Sequence, residues 1–229
     1  REARTSKERG EGGAAPRRAT NKLHGAVQAV MISTNLVASS AQRDEAFLKE
    51  MASAIWSLAN NNADNQAAIA QAGAIPRLIM LLHHGSPELH REVAGALWGL
   101  AGNPGNTVNQ KAIADALGIE PLVQQLKANL KRNERGEMAI VPGTLGAQET
   151  AAGALHALAE LSSNRILVAK TGGIPKLVAL LDEGTEGCKD QAAGALEALV
   201  IDNPANQKEI ALGLVEMLSS GSASGQEMV

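Results

Sequence analysis

Apolar and polar positions follow one nine-residue pattern four times along this chain. The copies begin at Met51, Val93, Ala151 and Ala192, so they are 42, 58 and 41 residues apart. Within each copy the apolar residues recur at intervals of three and four, which predicts an amphipathic helix. A period near 42 residues predicts a stack of small helical units that bury their apolar faces against one another.

A second pattern comes before the long helices. Residues 65–82 contain a short apolar segment, a Gly, a Pro near a helix start and a second short apolar segment, and related segments occur at 109–123 and 164–181. The Gly residues between the two segments are Gly73, Gly118 and Gly172. They are predicted to break the helix, with a positive φ at Gly73 and Gly172. Each unit is therefore predicted to hold two short helices and one long helix.

Three phrases carry a resemblance to a known family: NQAAIAQAG at 65–73, GAIPRLIMLL at 73–82 and AGALWGLA at 94–101. Together, at this period, they resemble the armadillo repeat over about residues 45–211. The resemblance implies an all-α, right-handed α-solenoid with three helices per repeat. It also implies a concave groove, lined by the third helices, that holds extended peptides or partner segments. The HEAT repeat is the alternative fold, although its units have two helices and lack the Gly-Ile-Pro turn.

The two patterns divide the chain into about four repeats and flanking segments. We expect a disordered basic segment at 1–22, a degenerate repeat at 23–62, full repeats at 63–104, 105–162 and 163–202, a truncated repeat or cap at 203–219, and a flexible tail at 220–229. The second full repeat holds an insertion of about 14 residues within 127–147. Near the C-terminus five residues of the Gly-Ile-Pro turn are missing, which fits either a real cap or a truncation. Because the chain begins with Arg1, we expect it to be a fragment.

The helical period also predicts which side of each long helix faces the groove. At about 100° per residue, the positions opposite the apolar stripe lie roughly 140–160° from it. These groove positions are Ser53, Ser57, Asn60, Glu92, Gly95, Gly99, Gly153 and Ala157. Their small side chains predict a smooth Gly/Ala floor. Importin-α-type members carry Asn where this chain has Ser57, Gly99 and Ala157, so the resemblance favours plant-, algal- or fungal-type armadillo scaffolds over that receptor.

One flank of this predicted groove carries ring side chains. Trp56, Trp98 and His156 occupy the same position of three successive copies. Trp is a common interface anchor, so the two Trp residues could form an apolar binding strip beside the floor. The alternative is that the rings fold onto the adjacent repeat and fill a core that otherwise lacks aromatic residues, since only 1% of the chain is aromatic.

The insertion contains a basic cluster of Lys131, Arg132 and Arg135. Long loops on rigid scaffolds often carry function, and this one could meet an acidic partner or a membrane phosphate. The alternative is a solvated loop, because the free energy cost of lengthening a surface loop is small.

Composition argues against catalysis and against nucleic acid as a partner. The net charge is −3, and residues 1–22 hold seven Lys or Arg against three Glu, so the rest of the chain is mildly acidic. A single cysteine, Cys188, excludes an internal disulfide, and we expect it to be structural or inert, although a helix start could lower its pKa. His83, His84 and His90 lack the spacing of a metal site. No metal, cofactor or catalytic residue is predicted.

The function predicted from the sequence is a non-catalytic protein–protein interaction scaffold that binds a protein or peptide in its groove. Two alternatives remain: the substrate-recognition arm of a U-box-type ubiquitin ligase, or a membrane-tethered organelle scaffold. Membrane contact would need the N-terminal segment or a part of the protein outside this chain. We expect a monomer inside the cell, in the cytoplasm, the nucleus or at an organelle surface.

Overall fold

The computed structural model describes residues 45–224 except 103–104, 128–129, 133–137 and 142. In these residues it contains eleven helices and one two-stranded hairpin. In chain order the elements are α1 (Glu45–Ala59), α2 (Ala63–Gln71), α3 (Ala74–Leu81), α4 (Pro87–Ala101), α5 (Thr107–Asp115), α6 (Ile119–Gln125), β1 (Leu130–Arg132), β2 (Met138–Ile140), α7 (Thr144–Ala159), α8 (Ser162–Lys170), α9 (Gly173–Glu183), α10 (Glu186–Val200) and α11 (Pro204–Ser224).

The four long helices lie side by side and form the spine of the molecule. Helix α1 packs on α4, α4 on α7 and α7 on α10, and each of the last three also packs on the short helix before it. The first short helices form a parallel row in which α2 contacts α5 and α5 contacts α8. This repeated three-helix unit is the predicted all-α solenoid. Its core consists of Ala, Leu, Ile and Val, and the many buried Ala residues let the long helices approach closely.

The turns between the two short helices have a left-handed Gly in two units and a left-handed Leu in the third. Gly73 and Gly172 have φ of 78° and 72°, as predicted. In the middle unit Leu117 takes the left-handed conformation, with φ of 62°, and Gly118 has φ of −74°. Gly118 lies in the break between the two short helices, as predicted, but the left-handed residue of this turn is Leu117. Gly118 is needed for packing instead, because a Cβ there would lie 2.8 Å from Ile113 Cγ2.

Buried asparagines connect successive units along one edge. Each lies in the first helix of a unit, and its Nδ2 donates to a carbonyl at the end of the preceding long helix and to a carbonyl of the previous unit's first helix. The bonds are Asn109 to Leu100 (3.0 Å) and Gln66 (3.3 Å), Asn164 to Leu158 (3.0 Å) and Gln110 (3.3 Å), and Asn206 to Leu199 (3.0 Å) and Arg165 (3.4 Å). Because these asparagines are at most 3% exposed, the bonds fix the stagger between units.

Two elements differ from the sequence prediction. The insertion contains an antiparallel hairpin that pairs Leu130 with Ile140, where a loop was expected. Helix α11 runs without interruption from Pro204 to Ser224, so the prediction of one short helix followed by a flexible tail from residue 220 is wrong for 220–224. The missing Gly-Ile-Pro turn explains this, since no residue there stops the first short helix and the two short helices become one.

The predicted segment at 1–22 and most of the degenerate repeat at 23–62 lie outside the described residues. Among the helices that the structure describes, none combines the length and hydropathy that a membrane crossing requires.

Candidate functional site

Three ring side chains lie against glycines of the next long helix. The pairs are Trp56 with Gly95, Trp98 with Gly153, and His156 with Gly194. A Cβ added to Gly153 would lie 2.7 Å from Trp98 Cδ2, and one added to Gly194 would lie 2.5 Å from His156 Cε1. Trp56 covers Gly95 in the same way. Each ring therefore occupies the space that a side chain of the next unit would fill.

The predicted open Gly/Ala floor is wrong at three of its positions. Gly95 and Gly153 are buried under the rings of the preceding helices, and Ala157 is also buried. The prediction considered one helix at a time, and the neighbouring helix supplies the ring that covers Gly95 and Gly153. Burial leaves these positions with little surface for a partner.

The other predicted groove positions keep more surface. Ser57 and Asn60 are exposed, whereas Ser53 and Glu92 are half-buried. Gly99 is buried, but it lines the cavity described next. The accessible part of the predicted site is thus concentrated at the end of α1 and the facing part of α4.

A cavity of about 320 Å³ opens between the ends of α1 and α4. Its lining residues are Trp56, Asn60, Asn61, Trp98, Gly99 and Gly102. The Trp56 and Trp98 ring centroids are 6.4 Å apart, and the ring planes are tilted by 34°. Both rings are half-buried: each packs on a glycine of the next helix and also borders this cavity. Each ring is therefore a packing contact and also part of the cavity wall, so a binding role for Trp56 and Trp98 stays a prediction.

The amide side chains of Asn60 and Asn61 give this apolar cavity a polar wall. Both residues are exposed, and an amide can donate and accept hydrogen bonds. Asn61 was not among the predicted site residues. It follows the end of α1 with a φ of 53°, a left-handed conformation that Asn tolerates better than most residues. A run of three asparagines directly after a predicted helix end was the available signal.

Two larger grooves lie between the first helices of adjacent units, and in each a buried polar side chain connects the units. A groove of about 840 Å³ lies between α2 and α5, and one of about 680 Å³ between α8 and α11. In the first, Gln66 Nε2 donates to the carbonyls of Ala59 and Gly99. In the second, the Arg165 guanidinium donates to three carbonyls, those of Ala159, Glu160 and Ile201. These groups hold the units together, so the smaller Trp-lined cavity is the better candidate for binding.

Burial makes the Cys188 thiol harder to ionise than an exposed thiol. Desolvation, together with the nearby Glu149 carboxylate, raises the pKa of Cys188 to about 11. The expectation that the start of α10 could lower this pKa is wrong, because burial of the sulfur penalises the thiolate more than the helix start favours it. Among the described residues, no group of three or more His, Cys, Asp or Glu is placed to hold a metal ion.

The basic cluster of the insertion is only partly described. Lys131 and Arg132 lie on β1, and Arg135 lies outside the described residues. A role for this cluster in partner or membrane contact stays a prediction.

Comparison with known proteins gives a consistent result. A family model for the Armadillo/beta-catenin-like repeat matches residues 62–102, which contain α2 to α4. Among solved structures, one engineered protein is similar at 27% identity and a TM-score of 0.66, over 84% of this chain and 68% of that chain. Another engineered protein is similar at 26% identity and a TM-score of 0.68, over 89% of this chain and 44% of that chain.

A designed armadillo repeat protein in complex with the peptide (KR)4 shares the fold, at 20% identity and a TM-score of 0.65 over 90% of this chain and 87% of that chain. Among curated protein sequences, none is significantly similar to this chain.

Proposed function

We propose that this chain, of which residues 62–102 match the armadillo repeat, is an armadillo-type, non-catalytic scaffold that binds an extended segment of a partner protein along its long helices. The Trp56/Trp98 cavity is the centre of the proposed site. A partner side chain would enter the cavity, and the partner backbone would run across the exposed positions Ser57 and Asn60.

The cavity is the single observation on which this proposal depends. It combines two Trp rings, which are frequent binding anchors, with exposed amides that can pair with a peptide backbone. Its volume of about 320 Å³ is at the lower limit of small-ligand pockets, about 300–1,000 Å³, so it suits one side chain better than a large cofactor.

Two further observations support a peptide-binding role. One designed armadillo protein of similar fold is in complex with a peptide, and another was designed for modular peptide recognition. The buried Asn109 and Asn164 bonds also fix the spacing of the units in advance. A scaffold ordered before binding loses less conformational entropy when it binds.

The direct test is a peptide-display selection with the full chain, followed by calorimetric titration of the enriched peptides. Ser57→Arg places a large side chain beside the cavity without removing a packing contact, because Ser57 is exposed. We expect this variant to weaken binding at least tenfold. Gln124→Arg, at an exposed position of α6, is the matched control and should bind as the unchanged chain does.

Equal affinity of the selected peptides for Ser57→Arg and the unchanged chain would contradict the proposed site. Trp56→Ala and Trp98→Ala are weaker tests, because removing either ring also opens a void against Gly95 or Gly153 and lowers stability.

A further inference from the structure

Helix α1 has two apolar faces, and only one of them is covered by the described residues. Leu48, Ala52, Ile55 and Ala59 are buried, and α1 packs on α4. A second stripe at spacings of four, three and four consists of Phe47, Met51, Ala54 and Leu58. In this stripe Phe47 is 44% exposed, Leu58 is 36% exposed and Ala54 is also exposed. We call this stripe the outer face of α1.

The same stripe is fully buried in the other three long helices. Its members are Leu89, Val93, Ala96 and Leu100 in α4; Ala147, Ala151, Ala154 and Leu158 in α7; and Cys188, Ala192, Ala195 and Leu199 in α10. Every one of these twelve residues is at most 2% exposed. The difference at α1 therefore lies in what covers the stripe and not in the type of side chain.

The short helix directly before each long helix accounts for the difference. Helix α3 packs on α4, α6 on α7 and α9 on α10. Helix α1 packs on α2 and α4, both of which follow it in the chain, and no described helix precedes it. The outer face of α1 thus lacks the partner that the corresponding faces have.

We propose that residues 23–38 of this chain fold onto the outer face of α1 and take the position that α3 takes on α4. Ten of these sixteen residues are apolar and none is Asp, Glu, Lys or Arg, which suits a segment buried on one side. Its apolar residues include Leu23, Val27, Val30 and Val37, at intervals typical of one helix face. The segment also contains Gly25-Ala26-Val27, which resembles the Gly73-Ala74-Ile75 start of α3.

The connection to α1 permits this placement. Gly25 precedes Met51 by 26 residues, whereas Gly73 precedes Val93 by 20. Six extra residues in a surface connection cost little free energy. A second copy of the chain is the competing occupant, since α11 exposes Leu212, Val215 and Leu218 at its own end of the stack. The tethered segment has the higher effective concentration at any ordinary protein concentration, which favours it.

Hydrogen–deuterium exchange of the full chain tests the proposal. We expect the amides of residues 26–38 to exchange at least tenfold more slowly than an unstructured peptide of the same sequence. Leu58→Lys and Phe47→Lys should each remove that protection, because they place a charge in the covered face. The matched control Val108→Lys changes an apolar residue of α5 that is 76% exposed, and it should leave the protection unchanged. Unchanged exchange in α7 and α10 would show that each variant is folded.

Three results would overturn the proposal. The first is exchange of residues 26–38 at the unstructured rate in the unchanged chain. The second is protection of these residues that survives both Leu58→Lys and Phe47→Lys. The third is protection of the outer face of α1 that disappears on hundredfold dilution, which would assign the face to a second copy.

Discussion

The unit α2–α4 and the unit α5–α7 have the same packing but different connections. The first has a Gly in the left-handed turn and a short connection to its long helix, whereas the second has Leu117 in that turn and a hairpin before its long helix. Both long helices nevertheless contain a ring-covered Gly, and near the end of each a carbonyl accepts a hydrogen bond from a buried Asn of the following unit: Leu100 from Asn109 and Leu158 from Asn164. The comparison shows that the repeat is specified at its buried contacts, and that its exposed turns and loops can vary.

Loss of a buried Asn should have the largest effect, and the effect should be equal in the two stacking interfaces. Asn109→Ala and Asn164→Ala each remove two hydrogen bonds donated by a buried amide, which should lower the free energy of unfolding by about 1–3 kcal/mol. Chemical denaturation measures this, with the exposed Asn60→Ala as a control that should change it by less than about 0.5 kcal/mol. If the two variants lose very different amounts of stability, the two stacking interfaces are not equivalent.

The ring-covered glycines should come next. Gly153→Ala places a Cβ 2.7 Å from Trp98 Cδ2, so the ring must move, and the variant should lose about 1–2 kcal/mol of stability. Gly213→Ala is the same substitution in α11, where the nearest atom is 3.4 Å away, and it should gain about 0.5–1 kcal/mol from helix propensity. Trp fluorescence should shift in the first variant only. A stabilising Gly153→Ala would show that Trp98 does not need this space.

An exchange at the turns sharpens the contrast between the two units. Leu117→Gly removes a left-handed Leu that is 77% exposed, and it should stabilise the chain by about 0.5–1 kcal/mol. The reciprocal Gly73→Leu should destabilise it by about 1–2 kcal/mol, because Gly73 has a φ of 78°. Thermal unfolding of both variants measures the pair. If both variants change the stability in the same direction, the turn conformation does not determine the effect of these substitutions.

Removal of the hairpin should have the smallest effect. Replacing residues 130–140 with a short Gly/Ser connection keeps α6 and α7 intact, so stability should change by less than about 1 kcal/mol. Denaturation measured beside the unchanged chain checks this. If the free energy of unfolding falls by several times that amount, the hairpin is part of the packed unit, and the two units differ in more than their exposed connections.

The long helices and their buried stripe were predictable because the sequence repeats the same information four times. The turns at Gly73 and Gly172 were predictable for a similar reason, since a Gly before a Pro near a helix start has few conformational alternatives. The break at Gly118 was also predicted, but the left-handed Leu117 was not, because that conformation favours Gly and a Leu gives no signal for it in the sequence.

The site was harder to predict than the fold. The periodicity of one helix identifies the face that points away from its own apolar stripe. It cannot show whether a ring from a neighbouring helix covers that face. Gly95 and Gly153 therefore looked open in the sequence and are buried in the structure. Ser57 and Asn60 are exposed in the structure, and their place in a binding groove stays a prediction.

The central claim is that a partner segment binds at the Trp56/Trp98 cavity, and indole resonances test it most directly. The chain has two Trp residues, so a ¹⁵N-labelled sample gives two side-chain indole signals. Titration with a peptide selected by display should shift both signals with one common Kd, and Ser57→Arg should raise that Kd at least tenfold. Saturating binding that leaves both indole signals unchanged would contradict the account.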